Sequence, residues 1–313
     1  PTVTDANIIL GRLSVATKIA GGSIELNSSL ADTAVSQIAE EIGLTIQKTA
    51  EGILRISVAR MVSAIKQISV SRGYDPRDFV LVAFGGAGPL HAALVAEELD
   101  IKHVLIPQSP GNFSAYGALI SDIRHDYVQT FLAKAESSSL SSLHDIFNKM
   151  EKVAFEVMLK ENIQKKKIVT NRVCGMRYVG QAWQLNVSIP EELGKIEELI
   201  DLFHDAHEQR YGYQSADSVE FVTCSLSTIG MVVKPRLPEC KVVGSLKKAM
   251  VACRVAFFSG EQHSTPVYNR DLLPRSVKID GPAIIEEMGA VTVVPIGWMS
   301  EVGEFGEMHL RRI

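Results

Sequence analysis

Apolar positions recur at helical spacing through much of the chain. Residues 29–42 read as a helix ended by Gly43, and 51–70 as a longer one. In the second, Leu54, Val58, Met61, Val62 and Ile65 share a face, and Gly73 closes it. The run 79–84 is short, apolar and bounded by turn signals, which predicts a buried parallel strand. A helix over 89–99, a strand over 104–106 stopped by Pro107, a turn at 109–112 and a helix over 115–120 follow. This strand–helix–strand–helix order predicts an α/β sheet with a right-handed crossover. Thr4 or Asp5 is the expected cap of a first helix through 8–10.

The serine-rich stretch 133–142 reads as a linker, dividing the chain into 1–133 and 134–313. Beyond it, 143–159 carries Leu143, Ile146, Phe147, Met150 and Val157 on one helical face. Residues 178–189 alternate apolar and polar, as one half-buried strand would. Gln181 interrupts the apolar side and needs hydrogen-bond partners there. An amphipathic helix is expected over 191–209. After Tyr211-Gly212-Tyr213 the pattern turns strand-rich, at 219–233, 251–258, 283–286 and 291–294.

The 313 residues are enough for two domains with cores of their own. A net charge of −4 argues against a nucleic-acid binder. No apolar run reaches the roughly 18 residues of a membrane span. The four cysteines are scattered, with no CxxC pair and no zinc-ligand spacing, so reduced thiols and a cytoplasmic protein are expected. The opening PTVTDAN carries neither a methionine nor a leader-like segment and reads as the middle of a longer protein.

Candidate chemistry concentrates at FGGAGPLH. Here Gly85, Gly86, Ala87 and Gly88 join the expected strand to a helix N-terminus. Glycine backbone at such a junction admits a nucleotide or another anion, and also serves tight turns and packing alone. The spacing is neither a P-loop nor GxGxxG. His91 reads as a hydrogen-bonded core residue, with metal ligation or acid–base work as alternatives. His125 with Asp122 and Asp126 reads as a surface cluster, and His204 with His207 as a solvated helix face. Arg177-Tyr178 and Gly180-Gln181 suit either ligand contact or a satisfied strand. No GxSxG motif or nucleophilic cysteine context is present.

The blocks PTVTDANIILGRL, VAFGGAGPLHA, IPQSPGNFSAYGALISD, GMRYVGQAWQLNVSIP, FHDAHEQRYGY and IDGPAIIEEMGAVTVVPIGW together resemble the hydantoinase A/5-oxoprolinase A-subunit family. The resemblance spans nearly the whole chain. It implies the second half of an actin-like, ribonuclease-H-type ATPase domain, followed by a strand-rich α+β domain. It further implies an ATP-dependent amidohydrolase that opens hydantoin or 5-oxoproline-like rings, with an acetone- or acetophenone-type carboxylase as the alternative. ATP with Mg²⁺ would be the cofactors of the full-length enzyme. A B-type subunit or domain would be the partner and a small cyclic amide the substrate, with self-association left open. By the same resemblance, Gly85, Gly86, Ala87 and Gly88 would contact adenosine, with Ser114 and Gly117 lining the same crevice. The phosphate-binding DxGGT turn of such ATPases is not found in 1–313, nor is its acidic metal ligand. The chain by itself is therefore expected to be inactive. A non-catalytic assembly module, holding a partner through its strand-rich tail, is the reading from a different class.

Overall fold

The computed structural model describes residues 1–16, 24–190 and 193–313. Packing gathers them into two compact units, Pro1–Ala118 with Arg236–Ile313, and Leu119–Pro235. These cuts fall at other positions than a division at 133/134.

The first unit opens with helices α1 (Val3–Ile9), α2 (Ser28–Ile42) and α3 (Ile46–Ile68). Thr2 caps α1, in a capping box with Asp5, so the cap lies two residues before Thr4. Thr45 caps α3, which therefore starts five residues before the expected 51. Strand β1 (Leu81–Val82), helix α4 (Gly88–Glu98), strand β2 (His103–Ile106) and helix α5 (Phe113–Ile120) follow. β1 and β2 pair in parallel, as the strand–helix–strand pattern requires.

Strand β1 departs from expectation. It is only two residues long and forms the edge of its sheet, and Phe79, Val80, Val82 and Phe84 are exposed. A short apolar run looks the same in sequence whether it has one neighbouring strand or two. Only the strand order decides which of its faces are covered.

The second unit carries β3 (Ile123–Lys134), α6 (Leu140–Lys160), β4 (Ile168–Tyr178), β5 (Leu185–Ser188), α7 (Ile196–Tyr211) and β6 (Val219–Gly230). Its antiparallel sheet runs β3-β6-β4-β5. Phe147 of α6, Phe203 of α7 and Phe221 of β6 share one core. The expected linker at 133–142 is instead ordered structure. It holds the end of β3, the bond from Ala135 N–H to the Val219 carbonyl, and a serine turn entering α6. Ser139 closes that turn, its hydroxyl donating to the Glu136 carbonyl and accepting from the Glu136 N–H, which composition alone does not distinguish from a linker.

The single strand expected over 178–189 is a hairpin. β4 ends at Tyr178, Gly180 turns with φ +92°, and β5 starts at Leu185. Trp183, which the alternation puts on the same apolar side as Gln181, is 81% exposed at the bend.

The chain then returns to the first unit with α8 (Leu246–Ala249), β7 (Met250–Phe258), β8 (Glu261–Asn269), β9 (Lys278–Asp280), β10 (Ala283–Glu287), β11 (Ala290–Val294), β12 (Trp298–Val302) and β13 (Met308–Arg312). One sheet has the order β1-β2-β13-β12-β9 and the other β11-β10-β8-β7. Thus the last strands of the sequence complete the sheet that β1 and β2 begin. Trp298 is fully buried there, and its Nε1–H donates to Glu97 at 2.6 Å.

Candidate functional site

The glycine turn begins where β1 leaves its pairing with β2. Ala83 N–H still donates to the Leu105 carbonyl, at 2.9 Å. Two residues on, Gly85 N–H donates to the Pro110 carbonyl at 2.7 Å, with φ +83°, a conformation that favours glycine. That bond ties the turn after β1 to the turn after β2, two loops at the carboxyl ends of neighbouring parallel strands. Gly86 and Ala87 are exposed. Ala87 is the N-cap of α4 and makes no side-chain capping bond. Of the first-turn positions of α4, Pro89 has no N–H and Leu90 N–H donates to the Ala87 carbonyl at 3.2 Å, so the Gly88 N–H is the first-turn donor left to solvent or to a ligand.

Gly86 has a second constraint. A Cβ there would lie 3.2 Å from the Gly289 carbonyl, and a Cβ at Gly111 would meet the same oxygen at 3.2 Å. Both loops thus rest on the β10–β11 turn. Gly88 is free of this, since its Cβ would sit in ordinary contact, 3.7 Å from Ala83. Ser114 is exposed on α5 and Gly117, one turn further, is half-buried. Nothing lies within 4 Å of a Cβ built at Gly117.

Beneath these loops lies a buried ion pair that sequence reading missed. Arg270 Nη1 contacts Glu287 Oε1 at 2.5 Å. Arg270 Nη2 donates to the carbonyls of Ile106, Pro107 and Gly306 at 3.2, 2.9 and 2.9 Å. Glu287 also accepts from the Ser109 backbone, and burial pushes its carboxyl up against the pull of Arg270. The pair therefore clamps the 107–112 loop from below, across more than 160 positions of sequence.

Aromatic rings continue from the turn. Phe84 packs on Phe113, centroids 5.4 Å apart, and Phe113 on Tyr116 at 5.9 Å. Phe113 and Tyr116 also line a largely apolar cleft of about 470 Å³ with Leu237, Phe305 and His309. At its wall, His309 lies between Glu307 (3.2 Å) and His103 (2.9 Å). Burial, then the neighbouring His309 and Arg311, pull the His103 pKa down. Residues 103 and 309 meet only because β13 pairs with β2. No local motif announces them.

The remaining candidate histidines separate. His91 is buried in α4, and its Nδ1 has no partner among the described residues. Burial, then Arg12, lowers its pKa from 6.5 to about 4. A depressed folded-state pKa gives stability that is full above the unfolded value and lost as pH falls toward the folded one. His91 should thus cost the fold about 3 kcal/mol between pH 6.5 and 4. Urea denaturation across that range should show the loss, and His91→Leu should flatten it. An unchanged slope in the variant would refute the buried neutral imidazole.

His125 pairs with Glu161, Asp126 with Arg124, and Asp122 with Lys234, so the supposed cluster is three separate ion pairs. His207 is not solvated. It is fully buried, with Nε2 at 3.0 Å from Gln181 Nε2 and Nδ1 at 2.9 Å from the Tyr213 carbonyl. His204 meets the Tyr178 hydroxyl at 2.6 Å. The helix turns this face toward the β4–β5 hairpin, and Gln181, which needed partners, finds His207 and the Tyr178 N–H. Arg177 is paired with Glu220. The polar side chains of this group are thus hydrogen-bonded or ion-paired to one another or to backbone. Cys174 and Cys224, fifty residues apart, face each other across β4 and β6 as buried free thiols. Among the described residues, no three His, Cys, Asp or Glu side chains gather to hold a metal.

A family model described as hydantoinase/oxoprolinase matches residues 1–127, and its C-terminal-domain counterpart matches 131–313. An uncharacterized protein of Methanocaldococcus jannaschii is 37% identical over all of this chain and 45% of its own length. Caprolactamase subunit alpha of Pseudomonas jessenii is 33% identical over 95% of this chain and 44% of its own. The crystal structure of the ATP-dependent caprolactamase from that organism superposes with a TM-score of 0.79 at 32% identity, covering 100% of this chain and 47% of the other. Nucleotide-free acetone carboxylase superposes with a TM-score of 0.81 over 100% and 46%. At 22% identity, that likeness is one of fold. The chain spans about half the length of the curated relatives it matches.

Proposed function

The chain belongs to the hydantoinase/oxoprolinase family, and from that premise we propose that it carries the adenosine end of the nucleotide site in an ATP-dependent hydrolase of cyclic amides. One observation carries the reading. The turn Gly85–Gly88 is exposed at Gly86 and Ala87 and leads into a helix N-terminus with no side-chain cap, held in place by the loop after the adjacent parallel strand. The relative whose structure supports it is an ATP-dependent caprolactamase. The parallel β1–α4–β2 unit would then be part of an actin-like half-domain, with Gly85, Gly86, Ala87 and Gly88 under the adenosine and Ser114 and Gly117 beside it.

The residues present fit a nucleoside. No side chain stands over Gly86 or Gly88, and Phe84 offers a 47% exposed ring at the turn's entrance. Bound ATP would supply the phosphoryl group that activates an amide oxygen. The glycine turn and α5 would only bind and orient the base and ribose. Residues 1–313 contain no DxGGT turn, so they would not hold the phosphates and their Mg²⁺. A B-type subunit or domain would complete the amide site. The rings expected from the family are hydantoin, 5-oxoproline and lactams.

Ala87 gives a clean test, because it is exposed and makes no capping bond. Ala87→Phe in the complete enzyme should weaken ATP binding at least about tenfold, an ordinary cost for obstructing a preformed contact surface, with an unchanged melting temperature. Gly86 is a poorer probe, since any side chain there presses on the Gly289 carbonyl. ATP affinity unaltered in Ala87→Phe would remove the adenosine assignment.

A further inference from the structure

At the opposite end of α4 from the glycine turn lies a second cleft of about 520 Å³, within the range that holds small molecules. It is lined by α3, the last turn of α4, and the loops after β7 and β11. Its charged residues are Arg12, Arg55, Glu51, Glu97 and Glu98.

Arg12 is the unusual one. It is 5% exposed, yet no carboxylate among the described residues lies within ion-pair distance. Its Nε and Nη2 both donate to the Phe257 carbonyl, at 3.1 and 3.0 Å. The guanidinium sits over the Phe258 ring, 5.0 Å from its centroid. That leaves Nη1 as the end with no described protein acceptor. Burial pulls the Arg12 pKa down more strongly than Glu51 and Glu97 hold it up. A guanidinium in this state gains a great deal from one well-placed carboxylate.

The nearby carboxylates are occupied elsewhere. Glu51 Oε1 accepts from Gly260 N–H at 2.7 Å, and Glu97 Oε1 accepts from Trp298 Nε1–H at 2.6 Å. Each keeps a second oxygen, and Glu98 is exposed on the rim. A simple anion entering here would meet Arg12 but also three carboxylates. A simple cation would meet the carboxylates but also two arginines. A molecule carrying both charges satisfies both ends.

We propose that this cleft binds a small zwitterion, an amino acid whose carboxylate seats on Arg12 and whose ammonium faces Glu97 and Glu98. The site stands on the cleft alone and does not depend on where a nucleotide binds. Hydrolysis of a lactam such as 5-oxoproline or caprolactam breaks the ring C–N bond and adds water across it, leaving an amine and a carboxylate on one chain. The ligand class is therefore the one such a reaction would release.

Titration calorimetry on the purified protein tests this, using ω-amino acids from 3-aminopropanoate to 6-aminohexanoate with the matched monocarboxylates and monoamines. At least one amino acid should bind saturably, and at least about tenfold more tightly than either of its singly charged analogues. Glu98→Gln, at an exposed position, should weaken that binding several-fold with an unchanged melting temperature. Arg12→Met should abolish it. Should Arg12→Met fail to fold, Glu98→Gln decides. Absence of binding across the whole series, equal binding of amino acid and monocarboxylate, or indifference to Glu98→Gln would each overturn the proposal. Since the readout is heat of binding without nucleotide, none of these results bears on the glycine turn.

Discussion

Arg270→Met should destabilise the protein by about 3–5 kcal/mol, the cost of breaking a buried pair by removing one partner. Methionine matches the length of the arginine stem but supplies no donors. Glu287 would be left buried with a charge that nothing balances, and burial already pushes its carboxyl up with Arg270 in place. The carbonyls of Ile106, Pro107 and Gly306 would lose the donor they share. Glu287→Gln should cost less, because glutamine still accepts from Ser109 N–H and from Arg270. Urea denaturation gives the global effect. Hydrogen exchange gives the local one, with faster exchange at Gly85, whose N–H bonds to Pro110 in the clamped loop. If Arg270→Met proves no worse than Glu287→Gln, the clamp is not the support described.

Gly11→Ala should cost about 2–5 kcal/mol, the sum of a left-handed backbone and an overpacked contact. Gly11 has φ +68°, and a Cβ there would collide with the Val255 carbonyl. The neighbouring bonds leave little room to move. Phe257 N–H donates to the Leu10 carbonyl, and Arg254 reaches the carbonyls of Gly11 and Arg12. Gly43 provides the control, with nearly the same φ, +67°, and nothing within 4 Å of its Cβ. Gly43→Ala should cost only the backbone part, about 1 kcal/mol. Equal losses in the two variants, measured by denaturant titration, would show that β7 yields to the added methyl group. A large loss at Gly11 alone would show that the α1–β7 junction is rigid. That junction positions Arg12, so the same variant should also weaken any ligand held in the Arg12 cleft.

Much of the secondary structure was legible because its causes are local. Gly43 closes α2 at the expected residue by adopting positive φ, whereas α3 ends at Ile68 on Ser69, and Gly73 ends the short 3-10 turn Val70–Arg72 that follows. The parallel pairing of β1 and β2 follows from a strand, a helix and a second strand in quick succession. The expectations that failed share a different cause. The alternation over 178–189 ran through a bend, because period-2 patterning does not register a glycine that reverses the chain. His207 is buried rather than solvated because the face a helix buries depends on what packs against it. The serine stretch resembles a linker in sequence because ordered turns and disorder use the same residues.

The sequence alone determined the family, the helix and strand periods around the glycine turn, and the lack of side chains at Gly85, Gly86 and Gly88. These are properties of short windows and of blocks in order, and backbone sterics enforce them locally. Only the tertiary structure decided that Gly289 supports Gly86 and Gly111, that Arg270 and Glu287 clamp the second loop, and that Arg12 stands buried without an ion pair beside a cleft. Those contacts join residues far apart in the chain. They arise from strand order and close packing, which leave no periodic trace in the residues they bring together.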